Sequence, residues 1–402
     1  MDQSLQYSVL DQSPIPEGFS AGDALHNSLD LARHAERLGY KRFWIAEHHG
    51  TPGLASSSPE VLIGPVAAAT STIHVGSGGI MLPHYSPLKV AENFRMLAAL
   101  YPGRIDLGIG RAAGTSPNVA RQLQRDRRQA PPDDFPAQLD ELLGLLDAPA
   151  APQVSILGSS PQSAIWAAER GLPYVFADFI NAEGSEIAKL YRDRFRASRS
   201  LAEPYTAVAL WAICAPTDDE AMRLSLSVRM TLAMMMRGRL IAIPSVERAE
   251  QFFQEQNISP FELVANRRFL TGSPETIGPA IQSVAQSYGA QEVFLVNILH
   301  SHAARIRSYE LLSQHLDTVT TSRMTTTKVF RSGNSQAVRI PREFRIDAKE
   351  VEIIQRGDEL ILRKRQTERT LAEALGGIPA LSEDCFAGGR EQGKQEDSAP
   401  LL

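Results

Sequence analysis

Residues 154–178, VSILGSSPQSAIWAAERGLPYVFAD, decide the architecture. Val154–Gly158 reads as a short strand, Pro161–Arg170 as a helix opened by Pro in its first turn with Ser before it, and Tyr174–Asp178 as a second strand. Strand, helix and strand in this order form one unit of a parallel α/β sheet. The same unit repeats on both sides. Strands are expected near Tyr7–Asp11, Arg42–Glu47, His74–Ile80 and Arg104–Gly110 before it, and near Thr206–Cys214 and Glu292–Leu299 after it. Helical stretches separate them at Asp23–Leu38, Pro59–Thr70, Pro87–Leu100, Pro117–Leu146 (interrupted), Glu183–Arg199, Asp218–Arg237, Pro274–Ser287 and Ala303–Leu316. Eight strands, each followed by helix, are the repeat of a (β/α)8 TIM-like barrel, here residues 1–317. The pattern alone leaves an open doubly wound sheet as the competing architecture.

The chain changes character at TVTTSRMTTT, residues 318–327, in which seven of ten residues are Thr or Ser; residues 318–325 are read as a linker. Four short alternating strands follow, at Lys328–Arg331, Ala337–Ile340, Val351–Gln355 and Glu359–Arg363, with turns at Ser332–Asn334 and Gly357–Asp358. A small all-β module over residues 326–366 is too short to bury a stable core alone, so a dimer is expected. Residues 367–402 form a tail whose last part, rich in Gly, Glu, Gln and Ser, is expected to be disordered when unbound.

Composition fits this division. Apolar residues make up 43% and charged residues 22%, enough to build a large core. Cys214 and Cys385 are far apart and lie in no metal-ligand spacing, which argues against a disulfide framework or zinc site and for a reducing cytoplasm. No signal peptide or membrane span is read from the chain. The net charge of −5 is uneven: residues 324–369 hold 11 basic and 7 acidic side chains, and residues 370–402 hold 2 and 6. A basic block before an acidic tail suggests two partners, the first a polyanion.

In such a barrel the carboxyl ends of the strands carry the chemistry. Gly78 and Gly79 would let backbone approach a flat ring closely. Ser159, Ser160 and Ser163 surround a helix N-terminus, where free N–H groups and the dipole favour a phosphate. Arg111, one strand away, could add a charge-assisted fork to that phosphate. His48 could hydrogen-bond a ring edge or move a proton near neutral pH. Trp44, Met81 and Tyr85 are candidates for an apolar lining. Taken singly, each has an ordinary structural explanation; their occurrence together on successive strand ends is what points to one ligand site.

The strings YSVLDQSP (7–14), RFWIAEHH (42–49), VGSGGIMLPHYSPLKVAENFRML (75–97), GRIDLGIGRA (103–112), LGSSPQSAIWAAERGLPYVFADF (157–179) and HAARIRSYELL (302–312) resemble the bacterial luciferase-like flavin monooxygenases, in the family's order. The resemblance implies an enzyme that takes reduced FMN from a separate flavin reductase and uses O2 to oxidise a small organic substrate. It places His48 beside the flavin, implies a non-prolyl cis peptide at Gly78–Gly79 beneath the ring, and gives Arg111, Ser160 and Ser163 to the phosphate. Gly110 stands where luciferase itself carries a reactive cysteine, so light emission is not implied. The stretch LDAPAAPQV, residues 146–154, is shorter than the family's usual approach to the fifth strand, which keeps open a barrel without activity. A deazaflavin-dependent oxidoreductase is the other alternative.

TKVFRSGNSQAVRIP (327–341) and EVEIIQRGDELILRKR (350–365) resemble VapB antitoxins of the SpoVT-AbrB class. That resemblance implies a swapped-hairpin homodimer that binds operator DNA, with Lys328, Arg331, Asn334, Arg339 and Arg342 as matching contacts. In the tail, Leu371, Leu375 and Ile378 share a helical face, and the family implies that such a segment lies in the groove of a PIN-domain VapC-type ribonuclease toxin.

Overall fold

The computed structural model describes residues 5–111, 117–123, 134–147, 151–261, 267–320, 329–332, 335–338, 340, 351–356 and 359–364. Two compact units divide at Ser322/Arg323. In the first unit the strands are β1 (Gln6–Asp11), β2 (Arg42–Ile45), β3 (His74–Met81), β4 (Ile105–Gly110), β5 (Gln153–Gly158), β6 (Tyr174–Ala177), β7 (Thr206–Cys214), β8 (Phe269–Gly272) and β9 (Glu292–Val296). Every pairing among them is parallel, and β1 through β7 followed by β9 close into an eight-stranded ring, because β9 bonds to both β7 and β1. The closed barrel is therefore the fold, and the open sheet is excluded. β8 is the addition: it pairs only with Trp211–Cys214, the carboxyl end of β7.

Alternation along the strands explains why the ring is filled. On β7, Val208, Leu210, Ala212 and Cys214 join the layer under the helices, while Ala207, Ala209, Trp211 and Ile213 pack inside the barrel. β2 divides likewise, Phe43 and Ile45 outward and Trp44 inward. Successive side chains of a strand point to opposite faces, and here both faces are buried. Trp44 meets Phe294 with ring centroids 4.5 Å apart, so the interior is a packed core.

The helices are α1 (Ala21–Arg37), α2 (Pro59–Ala69), α3 (Pro87–Leu100), α4 (Pro117–Leu123), α5 (Phe135–Leu145), α6 (Pro161–Glu169), α7 (Ser185–Arg194), α8 (Asp218–Leu224), α9 (Leu226–Met236), α10 (Val246–Gln256), α11 (Pro274–Tyr288) and α12 (His302–Thr320). Local chemistry sets their ends. Ser20 caps α1 in a reciprocal box with Asp23, and the left-handed Gly289 closes α11. The single helix expected over Asp218–Arg237 is broken at the buried Ser225, whose hydroxyl donates to the Met222 carbonyl and accepts from Arg229 Nε. α12 runs to Thr320, into the segment read as linker. The last helix is tied to the first strand by Arg305, 2% exposed, whose Nη2 donates to Asp11 Oδ1 at 2.6 Å.

In the second unit β10 (Val329–Ser332) pairs antiparallel with β11 (Ser335–Val338), and β12 (Val351–Arg356) with β13 (Glu359–Lys364). These are two hairpins built from the four expected strands. Lys328, Asn334, Arg339 and Arg342 lie outside the described residues, as do the side chain of Arg331 and the whole of 365–402. Among the described residues no helix is long and apolar enough to cross a membrane.

Candidate functional site

A cavity of about 510 Å³ opens at the carboxyl ends of the barrel strands. His48, Gly78, Gly79, Arg111, Ser159, Ser160 and Ser163 all line it, brought together from the ends of β2, β3, β4 and β5. Met81 also lines it. Trp44 and Tyr85 are not among its lining residues: the Trp44 indole N–H donates to Asp106 Oδ2 inside the barrel, and the Tyr85 hydroxyl donates to Glu47 Oε1.

His48 is half-buried and lies three residues beyond the end of β2. Burial, helped by the neighbouring His49, pushes its imidazole down to about 4, so it is neutral at pH 7. Of the two roles expected for His48, hydrogen-bonding a ring edge or moving a proton near neutral pH, a lowered pKa is in keeping with the first. Its Nδ1 is buried with no partner among the described residues, although the ring lines the cavity. A buried polar atom without a partner is costly, and a ligand edge would satisfy it.

The Gly78–Gly79 peptide is cis. Both glycines are also demanded by packing. A Cβ on Gly78 would lie 2.5 Å from Leu10 Cδ1, and one on Gly79 would lie 2.8 Å from the Gly108 carbonyl oxygen. Gly110 differs, since a Cβ there would meet nothing nearer than 3.9 Å.

Also in the cavity lining, Ser160 caps α6, accepting from Ser163 N at 3.3 Å, while the Ser163 hydroxyl donates to the Ser160 carbonyl at 2.7 Å. Ser163 is thus buried and engaged in its own helix cap, whereas Ser160 is exposed and Ser159 half-buried. The Arg111 guanidinium lies 5.5 Å from the centroid of the Trp166 ring, which in turn packs on Phe135 at 4.8 Å. Contact of this kind with an aromatic face helps to place a planar cation. The remaining wall is largely apolar, from Phe135, Ile156, Leu157, Trp166, Phe179 and Ile180. A helix N-terminus, an arginine, an imidazole nitrogen without a partner among the described residues and largely apolar walls, all lining one cavity, fit a planar ligand ending in a phosphate, as FMN does.

Sequence reasoning missed Gln12, Glu47, Phe135, Trp166 and Phe179 in the lining. Glu47 had a visible signal, since it sits beside His48 in the EHH string; the aromatic residues come from helices and a strand end whose facing only the closed barrel fixes.

A family model described as luciferase-like monooxygenase matches this chain at residues 5–148 and 144–292. A second, described as antidote-toxin recognition MazE, bacterial antitoxin, matches residues 329–370. The Bacillus subtilis (strain 168) protein YwcH is 42% identical over 330 residues, covering 76% of this chain and 98% of its own. The N-acetyl-S-alkylcysteine monooxygenase of the same strain is 36% identical over 330 residues, covering 77% and 97%. The crystal structure of apo-MsnO8 superposes with a TM-score of 0.73 at 37% identity, covering 78% of this chain and 98% of that one.

Proposed function

The chain belongs to the luciferase-like monooxygenase family, with a MazE-type antitoxin segment at residues 329–370, and from that premise we propose that the barrel is an FMN-dependent monooxygenase fed with reduced flavin by a separate reductase. The observation carrying this reading is the convergence of His48, Gly78, Gly79, Arg111, Ser159 and Ser160 on one cavity.

Arg111 and the amino end of α6 would hold the phosphate, Arg111 as a fork and the helix through its free N–H groups. The backbone at Gly78–Gly79 would lie beneath the ring, and neutral His48 would hydrogen-bond its edge. Reduced flavin, when bound, supplies the electrons that let one atom of O2 enter an organic molecule while the other leaves as water. Ile156, Leu157, Phe179 and Ile180 keep water from the reacting face and favour a small apolar substrate group. The alkylcysteine derivative named for one relative makes thioethers the first substrates to try.

The test is anaerobic titration of the full-length protein with reduced FMN, followed by admission of air in the presence of candidate thioethers. Saturable binding and an oxygenated product support the reading. Binding of a reduced deazaflavin in place of FMN would move the chain to the deazaflavin branch, and binding of neither would mark a barrel without activity.

A second activity is favoured for the carboxy-terminal unit. Val338, Ile340, Val351 and Ile353 are exposed there, apolar surface of a kind that a swapped homodimer would cover. With Lys328, Arg331, Asn334, Arg339 and Arg342 on DNA, and the tail in a toxin groove, the unit would act as an antitoxin and operator-binding regulator in the cytoplasm. Operator affinity should fall steeply with salt, and Arg331→Ala should weaken it; a salt-independent affinity untouched by that change would refute the contact map.

A further inference from the structure

We propose that Glu47 is a positioning residue: it holds the His48 imidazole at the cavity wall by tying the turn after β2 to the turn after β3. The proposal rests on the flavin reading of the cavity for its catalytic consequence, but its structural content stands on this chain's own geometry.

The Glu47 side chain is fully buried at the cavity margin. Its Oε1 accepts from His49 Nε2 at 2.7 Å and from the Tyr85 hydroxyl at 3.0 Å; its Oε2 accepts from the Met81 backbone N–H at 2.9 Å. Met81 ends β3, two residues beyond Gly79, and Tyr85 closes the single 3₁₀ turn Leu82–His84 that follows. One carboxylate therefore gathers donors from both cavity turns. His48 is caught between its ends: Glu47 on one side is bonded across to β3, His49 on the other is bonded back to Glu47, and the His48 N–H donates to the Ser56 carbonyl at 3.0 Å. The imidazole itself has no partner on Nδ1 to hold it. Its orientation is fixed by the backbone on either side, and that backbone is fixed through Glu47. Outer partners that orient a functional ring in this way typically matter by 10–100-fold where measured at metal sites.

A buried carboxylate serving only the fold would also be expected to make three such bonds, so the test must read His48 itself. In full-length protein labelled with 13C-histidine, the His48 signal is assigned by its loss in His48→Gln and followed against pH. The wild-type ring stays neutral down to about 4. In Glu47→Gln, loss of an acceptor lets the turn open, and the His48 titration should move up toward the ordinary value of 6.5. Simple removal of a negative charge would push it the other way, so an unchanged or lowered titration overturns the proposal. Tyr85→Phe, which removes one donor and leaves the carboxylate in place, should give a smaller shift of the same sign. It decides the matter if Glu47→Gln does not fold: no shift there counts against positioning.

Turnover supplies the second arm. Glu47→Gln should lower product formation about 100-fold, the scale of a 1 Å misplacement. In a His48→Ala background the same change should add little, whereas full additivity would overturn the proposal. If wild type binds no flavin, the flavin reading fails, and the His48 titration still decides whether Glu47 positions the ring.

Discussion

Arg111→Ala should separate FMN from riboflavin. The guanidinium lies over the Trp166 ring, 5.5 Å from its centroid, and lines the cavity together with Ser159 and Ser160. A charge-assisted bond to a phosphate contributes about 1.5–3 kcal/mol. Arg111 is exposed, and solvent screening places it at the lower end of that range. A loss of about 1.5 kcal/mol corresponds to roughly tenfold weaker binding. Riboflavin carries the same ring without the phosphate, so its affinity should hardly change. Arg111→Lys keeps the charge but loses the planar fork and should fall between wild type and alanine. The assay is quenching of flavin fluorescence on titration, at low and high salt; the FMN penalty should shrink as salt screens the phosphate. Equal losses for FMN and riboflavin would mean that Arg111 acts by packing on Trp166, and the phosphate assignment would fall.

Because His48 sits at about 4, the pH–rate profile should show no His48 inflection between pH 5.5 and 8, and a histidine-dependent inflection there, lost in His48→Gln, would contradict its burial. Glu36 is a stability test. Burial would raise its pKa, but N–H groups of Ser71, Thr72 and Ile73 bond its Oε1 at 2.6–3.0 Å and win, bringing it down to about 2. A depressed carboxylate stabilises the fold above its ordinary value of 4.5 and loses that contribution as pH falls toward 2. Glu36→Gln should therefore lower Tm at pH 7, by an amount that shrinks steadily toward pH 3; a pH-independent difference would refute the assignment. Arg305→Ala should cost about 3–5 kcal/mol, read as a lower urea midpoint, because it strands the buried Asp11 carboxylate between β1 and α12 without its partner.

The barrel was legible because a buried parallel strand leaves a dense apolar run, and eight such runs stand in the sequence from Tyr7 to Leu299. β8 was not legible for the opposite reason. FLTG is three half-exposed residues and a buried glycine, and its strand character exists only through pairing with the end of β7. α10 was overlooked despite Ser245 capping it, since the eightfold repeat has no place for an extra helix between β7 and β8. In the site, residues at strand ends could be read off local strings, because the barrel brings all strand ends to one mouth. Trp44 was misplaced among the lining candidates because alternation points it inward, onto Phe294 and Asp106, below the cavity. The bonds of Glu47 to Met81 and Tyr85 cross between turns more than 30 residues apart and leave no local pattern.

The sequence reading of a shortened approach to β5 raises the question whether the site survives it, and the two ends of β5 lie apart. The family match falls into two pieces that meet at residues 144–148, just where α5 ends. That connection enters β5 at Gln153, while Ser159 and Ser160 follow its other end at Gly158. Six strand residues rising about 3.3 Å each separate the two. Around the connection lies an open groove of about 710 Å³, lined by Leu146, Pro152, Arg170 and Arg199, with none of the cavity residues in it. β5 nevertheless keeps both its neighbours in register, Leu107 opposite Val154 and Val175 opposite Leu157. In a (β/α)8 barrel the turns entering the strands serve stability and those leaving them serve chemistry. A shortened entry to β5 would therefore be expected to bear on the stability of the fold before it bears on the cavity at the far end of the strand.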